Sequence, residues 1–168
     1  MTALDAGALL LRVIAGLTMA AHGYQKLFSG GRIAGTGRWF DSLGMRPGRL
    51  HAVAAAGTEV GAGLLLALGL LTPVAGAAFV ALMLVAGWTV HRANGFFSVK
   101  SGWEYNLILA TIGVTLGTTG AGAWSLDGAL GLTVMSGAVG FLISALGGLL
   151  AGAAQLLIFY RPAAASAQ

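Results

Sequence analysis

Apolar positions in this chain gather into five long runs, at about residues 5–28, 50–71, 73–92, 103–120 and from just after Asp127 to Tyr160. A helix needs about 20 apolar residues to cross the hydrocarbon core of a bilayer, and each run is near or above that length. Thr72-Pro73 separates the second run from the third, because proline disfavours helix in the residue before it and suits a first turn. The first run has Asp5 ahead of its apolar stretch, no Lys or Arg there, and Arg12 within it. It is therefore expected as a retained helix rather than a signal peptide.

Composition supports the membrane class. Of the 168 residues, 57% are hydrophobic and 8% charged, against about a quarter charged in a soluble domain. So few charges cannot cover a water-facing surface. The 28 glycines fit helices that approach closely in lipid. The expected fold is an all-α polytopic membrane bundle. It has a four-helix core (residues 1–128), an additional long transmembrane helix (129–162) and a short cytoplasmic tail (163–168). The absence of cysteine excludes a disulfide, a thiolate-bound cluster and a persulfide carrier within the chain.

The net charge of +4 reads as topology. With five crossings Lys26, Arg32, Arg38, Arg46, Arg49, Arg92, Lys100 and Arg161 all fall on one side. The positive-inside rule then puts the N-terminus outside and the C-terminus in the cytoplasm. The connection 29–48 is expected to be a polar loop. It would hold anionic lipid head groups or dock a cytoplasmic partner. Its glycines lack the Lys and Ser/Thr of a phosphate-binding loop, and nucleic-acid binding is not expected. The last run would extend about 45 Å as one helix, so it must tilt, kink at Gly147-Gly148 or project. Ser136, Gly140, Ser144, Gly148 and Gly152 put a small residue at every fourth position of it. That stripe would pack inside the bundle or dock a second copy of the chain.

Ionisable side chains within the apolar runs are costly and usually face the bundle interior. Counting rise along each run puts Arg12 roughly 6 Å to the outer side of the midplane and Glu59 roughly 3 Å to the inner side. An Arg12–Glu59 pair is expected, with His22, Lys26, His91, Glu104, Tyr24 and Gln25 nearer the cytoplasm. Glu104 would find a partner in Lys26, His22 or His91, while Trp103 and Tyr105 anchor at the interface. Plainer roles stand beside these. The pair would simply join two helices, Lys26 would snorkel to head groups, and the histidines would be satisfied polar residues. No metal site is expected, because His22, His91 and Glu104 lie on three different runs without ligand spacing. A bis-histidine haem has the same weakness.

The order of these motifs resembles the DoxX family. "LLLRVIAGLTMAAHGYQKLF" is similar to its first helix and "GTEVGAGLLLALGLLTPVAG" to its second, with an intramembrane glutamate. "VHRANGFF" and "SGWEYNLILATIGVTLGTTGAGAWSLD" resemble its later segments, and the likeness spans about residues 9–127. The matched positions are Arg12, His22, Gly23, Lys26, Glu59, His91, Glu104 and Asp127. The resemblance implies a bacterial plasma-membrane protein tied to redox physiology. Some relatives are thiosulfate:quinone oxidoreductase subunits, and others associate with a superoxide dismutase and a sulfurtransferase.

Two function classes follow. One is a redox subunit with no covalently bound cofactor, in which His22 or His91 holds a quinone carbonyl and Glu59 or Glu104 relays protons. Glu59, His91 and Glu104 are its candidate catalytic residues. Soluble redox enzymes at the cytoplasmic face would supply electrons. The other is a non-catalytic anchor that recruits partners through the 29–48 loop and the fifth helix. A small proton-coupled transporter using Glu59 is a third, weaker option, since the chain has no internal repeat.

Overall fold

The computed structural model describes residues 2–162, whose regular elements are all helical, with no strand among them. Helix α1 (Ala3–Phe28) starts from a reciprocal cap. The Thr2 hydroxyl accepts from the Asp5 amide, and the Asp5 carboxylate accepts from the Thr2 amide. Helix α2 (Arg32–Ser42) follows, then α3 (Gly48–Leu68), which stops at Gly69 with a left-handed φ of 65°. Helix α4 (Thr72–Ala86) begins with Pro73 in its first turn. It continues through a widened π turn (Gly87–His91) and a 3-10 turn (Arg92–Asn94). Helix α5 (Glu104–Thr119) precedes the single turn α6 (Leu126–Ala129). The last element is α7 (Gly137–Phe141), a second π stretch (Leu142–Gly147) and α8 (Gly148–Phe159), joined end to end.

Both widened stretches contain a hydroxyl that donates back along its own helix. Thr89 donates to the Val85 carbonyl at 2.8 Å, and Ser144 to the Gly140 carbonyl at 2.6 Å. Such back-bonding competes with the regular ladder and accompanies local bending.

α1 packs along α3, and α4 packs against α5 and α8. Met19, Leu66, Phe79 and Leu116 form the centre of the core. Glycine sets the closest approach. A Cβ at Gly63 would stand 2.5 Å from the Gly16 carbonyl oxygen, and one at Gly16 would run into the Gly63 carbonyl. The backbones of α1 and α3 therefore touch at this crossing.

Among the described residues four helices are long and apolar enough to cross a membrane: Ala3–Phe28, Gly48–Leu68, Thr72–Asn94 and Gly137–Phe159. By length and composition these supply four of the five expected crossings. The run at 103–120 yields only the 16-residue α5, about 24 Å long against a core of about 30 Å. The long C-terminal run is also not one helix. Its first part is taken by α6 and a 3-10 turn (Leu132–Met135), and the break falls at residues 130–136 rather than at Gly147-Gly148. The expected polar loop at 29–48 is largely helical, as α2. Gly37 and Gly48 let that amphipathic helix lie on the start of α3, where a Cβ on Gly37 would stand 3.1 Å from Arg49 Cα. The expected tail at 163–168 lies outside the described residues.

The small-residue stripe faces the inside of the chain. Gly140 abuts the Gly117 carbonyl, Ser144 is fully buried, and Gly148 and Gly152 lie against α4. Ser136 precedes the start of α7 beside Gly120, its hydroxyl donating to the Thr133 carbonyl at 2.7 Å. The outward faces carry Leu10, Ile14, Leu17, Leu107, Leu150 and Leu157, all exposed. An apolar exterior of this kind, over helices whose backbone bonds close internally, is a lipid-facing surface.

The two ends of the bundle differ. At one end the start of α1, the α3–α4 turn and the loop at 121–127 meet, with the Ala123 amide on Asp5 Oδ1 and the Asp127 amide on the Gly69 carbonyl. At the other end the Arg161 amide donates to the Gly44 carbonyl and the Arg46 amide to the Phe159 carbonyl. The exposed Arg32, Arg38, Arg46 and Arg49 belong to this second end.

Candidate functional site: a histidine-edged cavity between the helices

The α1–α3 register decides which charges meet. Gly16 lies against Gly63, and Gly23 against Ala56 and Val60. Continuing that antiparallel register puts Arg12 level with Ala67, eight residues and about 12 Å along α3 from Glu59. The expected Arg12–Glu59 pair therefore does not form. Arg12 is 2% exposed and donates through its two terminal nitrogens to the carbonyls of Ala67 and Trp124. It ties α3 to the loop beside Asp127. Asp127 in turn caps α4, accepting from the Leu71 and Thr72 amides at 2.7 and 2.9 Å and from the Thr72 hydroxyl at 2.6 Å.

Glu59 pairs with Lys26 instead. The ammonium sits 2.8 Å from Oε1 and 2.7 Å from Oε2. Lys26 reaches back along α1 toward the bundle centre rather than out to the interface. The pair is the one salt bridge among the described residues.

Both residues border a cavity of about 580 Å³ enclosed mainly by α1, α3, α4 and α5, with α2 and α8 at its edge. Its wall is largely alanine, methionine, leucine and valine. His22, His51 and His91 also line it, as do Trp39, Phe40 and Tyr105. The volume and the few polar groups in an apolar wall are those of a small-molecule site. Three of the expected site residues on α1 and α3 (His22, Lys26, Glu59) and His91 at the end of α4 are thus brought together, while Arg12 is not. Tyr24 and Gln25 face outward.

Glu104 departs from expectation as well. It accepts from the Ser98 amide at 2.8 Å, and its own amide donates to the Phe96 carbonyl at 2.9 Å. It braces the loop 95–103 and does not line the cavity. The same loop fixes His91, whose Nδ1 lies 2.7 Å from the Ser101 carbonyl. A carbonyl only accepts, so Nδ1 carries the proton and Nε2 is left as an acceptor.

Three cavity residues were not singled out from the sequence: His51, Asn106 and Gln155. His51 and Asn106 are 4% and 5% exposed. Gln155 Nε2 lies 3.2 Å from His51 Nδ1. The usable signal was there, since Asn106 and Gln155 are single amides inside otherwise apolar runs. Such groups in lipid point to a partner or a ligand. Among the described residues no three His, Asp or Glu converge as a metal site would need.

Comparison with known proteins agrees with the motif order. The DoxX family model matches residues 7–92, about half of the chain, covering α1 to the end of α4. The chain belongs to the DoxX family. It is also 33% identical over 123 residues to a protein of Bacillus subtilis (strain 168) named "Putative oxidoreductase CatD", across 73% of this chain and 86% of that protein. No solved structure matches the chain. The DoxX match includes Arg12, His22, Lys26, His51, Glu59 and His91. With family and apolar helices together, this is a membrane protein.

Proposed function

We propose that this DoxX protein is the membrane component of a redox-linked complex and that its cavity takes a quinone. The observation that carries the reading is the cavity itself: an apolar chamber of about 580 Å³ with histidines at its edge and the Lys26–Glu59 pair in its wall. Quinone reduction needs an apolar slot for the ring, hydrogen bonds to its carbonyl oxygens and a supply of protons. His22 would donate to a carbonyl oxygen of the quinone, and His91 Nε2, an acceptor, would take the hydroxyl of the reduced form. A proton would reach the slot through Glu59, with Lys26 balancing the charge of its carboxylate. Electrons would come from a soluble partner at the basic end. The oxidoreductase name of the Bacillus subtilis relative supports a redox-linked role.

On this reading the chain crosses the bacterial plasma membrane with its N-terminus outside. The short α5 would complete a fifth crossing with the bilayer thinned around it. The basic end would then face the cytoplasm.

A second reading, a non-catalytic anchor, is favoured by one observation. Arg32, Arg38 and Trp39 stand exposed on α2 at the basic end, a surface suited to an acidic partner. The protein purified gently from native membranes separates the two. A quinone found by mass spectrometry at one per chain, lost in Glu59→Gln and His91→Ala variants that remain folded, supports the redox subunit. Protein without quinone but with co-purifying soluble subunits, released by charge reversal at Arg32 and Arg38, supports the anchor.

A further inference from the structure

Two buried polar atoms in the cavity wall have no hydrogen-bond partner among the described residues: His51 Nε2 and Asn106 Oδ1. They come from α3 and α5 and line the same chamber. Buried polar atoms are nearly always paired, because leaving one unmet forfeits its hydration without return. The two atoms are also complementary. The Gln155 amide nitrogen faces His51 Nδ1, so Nδ1 accepts and Nε2 carries a proton to donate. The Asn106 amide nitrogen is turned to Met83 Sδ at 3.6 Å, which leaves its oxygen as an acceptor. Both atoms lie just behind the chamber surface, so a small rotation of each side chain would present one donor and one acceptor to it, with Trp39, Phe40 and Tyr105 along the cavity to meet a ring.

The oxidised and reduced forms of a quinone differ in what they can return. A quinone has only accepting oxygens. It satisfies His51 but sets a carbonyl lone pair against the Asn106 oxygen. A quinol carries O–H groups. One hydroxyl donates to Asn106 while the other oxygen accepts from His51. We propose that His51 and Asn106 form a head-group clamp that selects the quinol over the quinone. The inference rests on the quinone reading of the cavity and adds two binding residues and a redox preference to it. Gln155 is a positioning residue that fixes the His51 tautomer.

The test is equilibrium dialysis of the purified protein in phosphatidylcholine nanodiscs against duroquinol and, separately, duroquinone, without oxygen and with empty nanodiscs as the blank. The expected result is quinol bound about tenfold more tightly, the worth of one buried hydrogen bond. For a two-electron couple this raises the bound midpoint potential by about 30 mV. Asn106→Leu should lower quinol affinity about tenfold and leave quinone affinity equal or higher, while His51→Phe weakens both. Equal binding of the two forms by the parent protein, or tighter binding of the quinone, overturns the clamp and leaves the cavity reading standing. Binding of neither form above the blank overturns both. The parent ratio decides even if a variant does not fold.

Discussion

Lys26 and Glu59 form a two-pronged ion pair between α1 and α3, with the lysine nitrogen 2.8 and 2.7 Å from the two carboxylate oxygens. The Glu59 side chain is only 9% exposed, so removing its partner strands a charge in a low-dielectric wall. Lys26→Met should destabilise the protein by about 3 kcal/mol, and Lys26→Met with Glu59→Leu should return to near the parent value. Denaturant unfolding in detergent checks this. A double variant no better than the single one would mean that the pair is not the cause.

Arg12 is a structural brace at the other end. Its fork donates to two carbonyls on separate elements, which a single ammonium cannot reproduce. Arg12→Lys should cost about 1–2 kcal/mol and make the loop at 121–127 more open to protease. Bound quinone should be unchanged, because Arg12 lies outside the cavity.

The glycine crossing gives a sharper contrast. Gly16→Val pushes side-chain atoms into the Gly63 carbonyl and should cost about 3 kcal/mol or prevent folding. Gly57 on α3 has nothing within 4 Å of a built Cβ. Gly57→Ala should be neutral or stabilising by about 0.5–1 kcal/mol. Thermal melts of the two variants in one detergent decide the matter.

Glu104 is expected to matter for the loop and not for the ligand. Glu104→Gln weakens the bond to the Ser98 amide, and hydrogen exchange at that amide should speed about tenfold. Quinone content should stay at the parent level. Loss of quinone in this variant would return Glu104 to the site.

Orientation can be read directly, because the chain has no cysteine. Single cysteines at Arg38 and Ala123 should react with an impermeant maleimide from opposite sides in intact cells, only Ala123 being labelled from outside. Labelling of Arg38→Cys instead would invert the topology.

The membrane class, the first three spanning helices and the family were legible in the sequence. They depend on composition, run length and motif order, which are properties of local stretches. The intramembrane charges were legible as residues but not as pairs. Counting rise put Arg12 and Glu59 on opposite sides of the midplane but within an arginine's reach, yet the Gly16–Gly63 contact sets the register that separates them. α2 was missed because a low-hydropathy stretch with two glycines does not declare a helix until α3 supplies a surface for it. The C-terminal stripe was visible as a pattern, but only packing on α4 and α5 decided that it faces inward. His51, Asn106 and Gln155 are far apart along the chain, and no spacing links them. They become neighbours of one chamber only when α3, α5 and α8 close around it. The sequence by itself determined that this chain lives in a membrane and carries buried ionisable groups. The tertiary structure alone decided which of them meet, because helix register and rotation are fixed by close backbone contacts between distant segments.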